Sequence, residues 1–228
     1  MTQALALLGR LFWCEGDPDT GGEAAIRHVS HGMLLIQDGI IAAAGEASAL
    51  LPALPPGTTL IDHRPHLVMP GFIDAHLHLP QTQVIASYGA QLMDWLNRYT
   101  FLEEQRFADP DHAARVAHFF CDELLRNGTT TAAVFGSVHA ASVDALFTAA
   151  DARQMRMIAG KVMMDRNAPP ALLDTAQRGH DQSRALIDTW HGKNRLGYAI
   201  SPRFAITSSE AQLEAAGALM RGHPDCWL

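Results

Sequence analysis

The stretch PGFIDAHLHLP, residues 70–80, is an apolar run that ends in two histidines one residue apart, His76 and His78. In an extended strand, side chains at positions i and i+2 point to the same face, so both imidazoles share one side. Neutral imidazole is a good ligand for Zn²⁺ or Fe²⁺, and two at one strand end form a preorganised chelate. A pattern this short also occurs in histidine pairs that bind nothing, so its meaning depends on the surrounding sequence.

Strand-like and helix-like segments alternate downstream of the histidine pair. Apolar strand patterns occupy residues 66–79, 129–136, 155–164 and 195–204, and helix patterns occupy residues 109–128, 142–154, 171–192 and 207–222. Residues 225–228, DCWL, have the pattern of a fifth strand just beginning. Four successive βα units with short connections predict parallel strands with right-handed crossovers.

Two of these helices carry specific signals. Thr207 and Glu210 have the spacing of a capping box, which predicts the start of the last helix. The helix at 109–128 has a predicted apolar face made of Val116, Phe119, Phe120, Leu124 and Leu125.

Two architectures accommodate this order of elements, an open doubly wound sheet and part of a (β/α)₈ barrel. No GxGxxG motif follows the first strand, which disfavours a dinucleotide-binding doubly wound sheet. Four units cannot close an eight-stranded barrel, which typically needs about 250 residues. We therefore expect an α/β fold, the N-terminal portion of a TIM-like (β/α)₈ barrel with about four βα units, cut at the start of the fifth strand.

The first 68 residues have a different character. Asp38-Gly39 separates two apolar runs and is suited to a type I′ hairpin turn, and Pro-rich punctuation follows at residues 52–56. This segment is predicted to be a small all-β unit that precedes the barrel portion at 69–228.

Composition narrows the class of protein. Seventeen Lys and Arg against 24 Asp and Glu give a formal charge of −7, and no basic cluster suited to nucleic acid is present. Cys14, Cys121 and Cys226 lack CxxC spacing and are expected to be free thiols in a reducing compartment. No apolar run is long enough to span a membrane, and no signal peptide is recognisable, so we expect a cytoplasmic protein.

In this context MPGFIDAHLH resembles the first barrel strand of the amidohydrolase superfamily of metal-dependent hydrolases, which ends in a PGxxDxHxH form. The resemblance implies that residues 1–68 belong to a small β-sandwich domain flanking the barrel. Longer blocks resemble the guanine deaminases of that superfamily: HLPQ at 78–81, and residues 92–107, 126–139, 160–169 and 201–209. This resemblance implies that guanine is hydrolysed to xanthine and ammonia. It also implies that the site holds one metal ion, zinc in preference to Fe²⁺, and that the full-length enzyme is a homodimer.

The same resemblance assigns His76 and His78 to the zinc ion, and His78, Gln81, Arg203 and Phe204 to guanine. Glutamine offers a donor and an acceptor to a purine edge. Arginine presents a planar fork of donors to its acceptor atoms, and phenylalanine can stack on its face.

Several other polar and aromatic residues are weaker candidates. Lys161 lies in the third strand and is expected to be structural, because the resemblance implies a mononuclear site. Asp74 is expected to support the metal loop, and His139 to be a hydrogen-bonded structural histidine. Loop-fixing or pocket-wall positions are expected at Asp165, Asn167, Trp95 and Tyr99.

The remaining parts of the family's site lie on later strands: a third zinc-binding His, a proton-shuttling Glu, a further His and an Asp. Nothing in these 228 residues matches them, so we expect no catalytic acid or base in this chain and no turnover by it alone. Two alternatives stay open, a superfamily hydrolase acting on another heterocycle and a non-catalytic fragment that serves as an assembly partner.

Overall fold

The computed structural model describes residues 4–228. The chain divides into two compact units, the first ending at Pro70 and the second comprising Gly71–Leu228. Within the described residues no helix has the length and apolar character needed to cross a membrane.

The first unit is built on a four-stranded sheet. Its elements are β1 (Ala4–Cys14), α1 (Pro18–Gly21), β2 (Ile26–Gln37), β3 (Ile40–Glu46), α2 (Ala47–Leu50) and β4 (Thr59–Val68). The sheet order is β3-β2-β1-β4, in which β1 pairs antiparallel with β2 and parallel with β4. Ala6, Leu8 and Met33 form its small buried core.

The hairpin between β2 and β3 turns at Asp38 and Gly39, as the sequence predicts. Gln37 pairs with Ile40, so the loop has two residues. The φ angle is 50° at Asp38 and 80° at Gly39. A type I′ turn requires positive φ at both positions, which Gly adopts freely and Asp tolerates better than most residues.

The second unit is an α/β structure around a parallel sheet. Its strands are β5 (Phe72–His78), β6 (Thr129–Phe135), β7 (Arg156–Gly160), β8 (Val162–Met163), β9 (Leu196–Tyr198) and β10 (Ser201–Pro202). Its helices are α3 (Leu92–Trp95), α4 (Phe101–Arg106), α5 (Pro110–Arg126), α6 (Ala140–Ala152), α7 (Ala176–Trp190) and α8 (Glu210–Gly222). Long helices follow or precede each principal strand, which confirms the predicted α/β class.

The order of the parallel strands distinguishes the two predicted architectures. The main sheet runs β5-β6-β7-β9, in the order of the chain, and all its neighbours are parallel. A doubly wound sheet would reverse its strand order at a switch point, whereas a barrel does not. Trp227 adds a parallel bridge to Ala199, where the sequence predicts a fifth strand to begin. The second unit therefore has the topology of part of a (β/α)₈ barrel.

Two predicted strands are each divided into two pieces. The segment predicted at 155–164 ends its main-sheet pairing at Gly160, and the short β8 then pairs with β10. At Gly160 a side chain is excluded, because a Cβ there would lie 1.7 Å from the backbone oxygen of Ala199. The close approach of the two backbones explains why glycine is required at this break.

The helix boundaries follow from local capping. Asp109 caps α5 by accepting from the backbone N–H of Asp111. The capping box predicted to start at Thr207 is wrong in position: Ser209 is the N-cap of α8 and accepts from the N–H of Gln212, while the Thr207 hydroxyl donates to the Phe204 carbonyl.

The buried face of α5 also differs from the prediction in part. Val116 and Phe120 are buried as expected, but Phe119 is 54% exposed and Leu125 is 38% exposed. The remaining buried positions on this helix carry small or polar side chains: His112, Ala113, Ala117 and Cys121. Small residues contribute little to a hydrophobic periodicity, whereas Phe119 and Leu125 contribute strongly. The sequence pattern therefore predicted a buried face that includes these two exposed side chains.

Candidate active site

One cavity, which lies beside β5 and extends to the last turns of α5, brings the predicted site residues together. Its volume is about 940 Å³, and it is lined by His76, His78, Gln81, Arg203 and Phe204 among others. Three of these follow or end the first strand of the sheet, and two follow β10, more than 120 residues later in the sequence. Parallel strands direct their carboxyl ends to the same rim, which explains how such distant residues meet.

The two imidazoles lie at the end of β5. Their ring centroids are 5.1 Å apart, with an interplanar angle of 73°. Phe135, the last residue of β6, stacks on His78 at 4.9 Å and meets His76 edge-on at 5.6 Å. The backbone N–H of His76 donates to the Asp74 carboxylate at 3.1 Å, so Asp74 fixes the strand end, as expected for a supporting residue.

The electrostatic surroundings keep His78 neutral. Burial lowers the pKa of His78 to about 4, and the positive charges of Arg203 and His76 contribute in the same direction. An imidazole with this pKa carries a free lone pair at neutral pH, and it needs to lose no proton before it coordinates a metal ion.

Arg203 is buried and held by an acidic partner. Its Nη1 atom donates to the Glu104 carboxylate at 2.7 Å, and its backbone N–H donates to the Met163 carbonyl at 3.1 Å. Its guanidinium carbon lies 5.6 Å from the centre of the Phe101 ring. Burial raises the pKa of Glu104, and the charge of Arg203 opposes that shift. The Arg203 side chain is therefore not on the protein surface.

The amide of Gln81 and the ring of Phe204 are available to a ligand. Within residues 4–228 the Gln81 side chain makes no hydrogen bond, and Phe204 is 43% exposed at the cavity edge. Trp95 completes part of the wall, and its Nε1 donates to the Ser87 carbonyl at 3.0 Å. The cavity therefore offers an amide, a guanidinium and aromatic faces, the set of groups that a flat polar heterocycle needs.

Other candidates lie away from this cavity. Lys161 is fully buried and forms an ion pair with Asp174, which also accepts from Arg178. His139 lines a separate polar depression at the start of α6, and its buried Nε2 has no hydrogen-bond partner among the described residues, so the prediction of a hydrogen-bonded histidine is wrong. Tyr99 does not line the active-site cavity.

Asp165 and Asn167 act as the loop-fixing residues that the sequence suggests. The Asp165 carboxylate accepts from the backbone N–H and the hydroxyl of Ser209, and the Asn167 amide donates to the Ile206 carbonyl at 2.7 Å. They tie the loop after β8 to the segment that follows Arg203.

Within the part of the chain that the structure describes, the cavity holds only an incomplete set of metal donors. Among residues 4–228, the only three His, Cys, Asp or Glu side chains close enough together to share an ion are His191, Asp225 and Cys226, which are not in this cavity. His191 uses Nδ1 to accept from the Tyr198 N–H, so in a neutral ring Nε2 carries the proton. That trio is accordingly a poor ligand set.

Sequence reasoning missed two residues of the site, Glu104 and Phe135. Phe135 was detectable, because it ends the second strand at the same rim as His78. Glu104 gave no usable signal, since a glutamate in the pattern LEEQR is usually on the solvent face of a helix.

The chain is similar in sequence and in structure to proteins of known family. A model of the amidohydrolase family matches residues 67–223. Guanine deaminase of Escherichia coli (strain K12) is 50% identical over 205 residues, which cover 90% of this chain and 47% of the relative. The crystal structure of guanine deaminase from Bradyrhizobium japonicum superposes with a TM-score of 0.93 and 37% identity, covering 99% of this chain and 49% of that one.

A third relative was solved with a ligand. Guanine deaminase from C. acetobutylicum, with guanine bound in its active site, has a TM-score of 0.84 and 26% identity, covering 97% of this chain and 51% of that one. The chain thus spans about half the length of the relatives that it matches. Because the family model matches most of its residues, the chain belongs to the amidohydrolase family.

Proposed function

We propose that the full-length protein carrying this chain hydrolyses guanine to xanthine and ammonia. The observation that carries the proposal is the convergence of His76, His78, Gln81, Arg203 and Phe204 on one cavity from two distant parts of the chain. Two solved or curated guanine deaminases, at 50% and 37% identity, support the choice of substrate.

We assign His76 and His78 to a single metal ion, which we propose to be zinc. The residues present fit part of such a ligand set, because they place two imidazoles together at one strand end. When bound, zinc lowers the pKa of water enough to make it a nucleophile near neutral pH. The other ligands and the general base would come from parts of the protein outside residues 4–228, and with them absent this chain alone is expected to be inactive.

The residues of this chain bind and orient the base. The free amide of Gln81 can donate to a ring nitrogen and accept from an N–H of the purine. The unoccupied guanidinium nitrogens of Arg203 can donate to its oxo group, and Phe204 can cover one face. Phe135 packs on His78 and limits its rotation, so the imidazole edge keeps its direction toward the cavity. The homodimer and the cytoplasmic location implied by the resemblance stay predictions.

The test measures the metal content of the full-length protein and its turnover of guanine. The absorbance change on conversion to xanthine monitors the turnover. His78→Asn is expected to lower zinc affinity at least tenfold and to remove most turnover, since it deletes one ligand. His180→Asn, on the surface of α7, is the matched control and should change neither. Turnover of cytosine, an adenosine or a chlorinated triazine in preference to guanine would refute the substrate assignment and favour another hydrolase of the family. Full zinc occupancy in His78→Asn would refute the metal assignment.

A further inference from the structure

Arg203 lines the cavity, and Glu104 forms an ion pair with it from behind the cavity wall. The Glu104 and Arg203 side chains are 3% and 8% exposed, their atoms meet at 2.7 Å, and they are 99 positions apart in the sequence. Glu104 reaches Arg203 from α4. Within the described residues this is the only hydrogen bond of the Arg203 guanidinium, so its other nitrogens can serve a ligand.

The pair determines what charge the cavity presents. A solitary buried arginine attracts anions, because its guanidinium is protonated at any physiological pH. With Glu104 bonded to it, the pair has no net charge, yet the free N–H groups still donate. A neutral oxo group therefore gains a hydrogen bond, whereas an anion is also repelled by the carboxylate behind the guanidinium.

We propose that Glu104 is a positioning and charge-selecting residue, which aims Arg203 into the cavity and makes the site prefer neutral oxo-heterocycles over their anions. The inference rests on the proposed function and deepens it. Guanine is neutral near pH 7.5, whereas xanthine, with a second oxo group, is more acidic and partly anionic there. An arginine whose charge is neutralised by Glu104 thus binds the neutral substrate and does not retain the ionised product.

The size of the selection follows from Coulomb's law. For an assumed separation of about 7 Å between a ligand anion on the guanidinium and the carboxylate, and an effective dielectric constant of about 20, the repulsion corresponds to roughly 50-fold in affinity. Solvent and salt reduce it, and we expect about tenfold to 50-fold.

The experiment measures inhibition constants of two probes on the full-length protein at pH 7.5: hypoxanthine, a neutral oxopurine, and urate, an anion. Glu104→Gln keeps the acceptor oxygen for Arg203 but removes the charge. The ratio of the urate constant to the hypoxanthine constant is expected to fall at least tenfold. Glu104→Asp, which keeps the charge, should leave the ratio near that of the parent. Glu103→Gln is the matched control, since Glu103 is the neighbour on α4 and pairs with Arg106, whereas Arg203 pairs with Glu104.

Loss of affinity alone does not support the inference, because a merely structural glutamate would weaken both probes equally. A ratio in Glu104→Gln within twofold of the parent would overturn it while leaving guanine turnover by the parent, and hence the proposed function, intact. A parent that neither turns over guanine nor binds hypoxanthine would overturn both. If Glu104→Gln does not fold, Glu104→Ala removes the same charge: the ratio should again fall at least tenfold, and an unchanged ratio would refute the inference.

Discussion

Replacing Asp174 by Asn isolates the effect of a buried lysine. Lys161 is fully buried, and Asp174 has a side chain that is 2% exposed and contacts Lys161 and Arg178. Burial alone acts to raise the pKa of Asp174, but the charge of Lys161 and its hydrogen bonds hold that pKa below its usual value. The substitution keeps the size of the side chain and removes the charge that compensates Lys161.

Two arguments bound the expected loss in free energy of unfolding. Removing one partner of a buried ion pair costs about 3–5 kcal/mol. Lys161 can instead lose its proton, and bringing an ammonium with an ordinary pKa of about 10.4 to the neutral form at pH 7 costs about 4.6 kcal/mol. We therefore expect Asp174→Asn to lower the free energy of unfolding by about 3–4.5 kcal/mol at pH 7.

The pH dependence gives a second check with a fixed sign. Burial already lowers the pKa of Lys161 in the parent, although Asp174 opposes that shift. In the variant no carboxylate opposes it, so the folded-state pKa falls further below the unfolded one. The penalty relative to the parent is then complete at low pH and shrinks by about 1.4 kcal/mol per unit as pH rises between the folded-state pKa of the variant and that of the parent. At pH 9 the ceiling is about 2 kcal/mol by the same arithmetic.

The assay is urea unfolding followed by circular dichroism and tryptophan fluorescence at pH 7 and pH 9, each variant compared with the parent at the same pH. Asp181→Asn is the matched control, because Asp181 is on the same helix with a side chain that is 59% exposed. A loss below about 1 kcal/mol at pH 7, or a loss equal at both pH values, would show that Lys161 is not an uncompensated charge in the variant.

Three further outcomes are expected. Gly160→Ala should abolish accumulation of soluble protein, because its Cβ would meet the backbone oxygen of Ala199 at 1.7 Å; a normal melting temperature would contradict this. At pH 8 an alkylating reagent should label Cys14, which is exposed, well before Cys121, whose pKa burial raises to about 11; peptide mass spectrometry measures the order, and equal rates would refute it. Asp165→Ala should lower unfolding free energy by about 1–2 kcal/mol and raise KM for guanine, since it frees the N-cap of α8; a change in neither contradicts the loop-fixing role.

The sequence predicts those parts of the fold that depend on local chemistry. Asp38-Gly39 specifies its turn because few residues tolerate positive φ, and the alternation of strand and helix patterns predicts a parallel α/β unit. The start of α8 was misplaced because Thr207 and Ser209 both have capping side chains. The choice between them depends on Asp165, a residue more than 40 positions away that holds Ser209.

The candidate site is predictable to the extent that a motif or a resemblance carries it. His76 and His78 are visible as a pair because a strand places alternate residues on one face. Glu104 is not visible, because its role depends on its contact with Arg203, and only the folded chain brings helix α4 to the segment after β10. For the same reason nothing in the pattern around Lys161 indicates that its partner is Asp174 and not a metal.

The short β8–β10 ladder has a consequence for how the protein can vary. The Arg203 backbone is fixed by an N–H bond to the Met163 carbonyl, next to the pairing of Pro202 with Met163. Main-chain bonds of this kind are indifferent to the identity of the side chains that they join. Exchange of the apolar side chains at 162 and 163 for others that fit the same core space is therefore expected to leave the Arg203 backbone in place, whereas a change of its ion-pair partner on α4 removes a contact of the side chain itself.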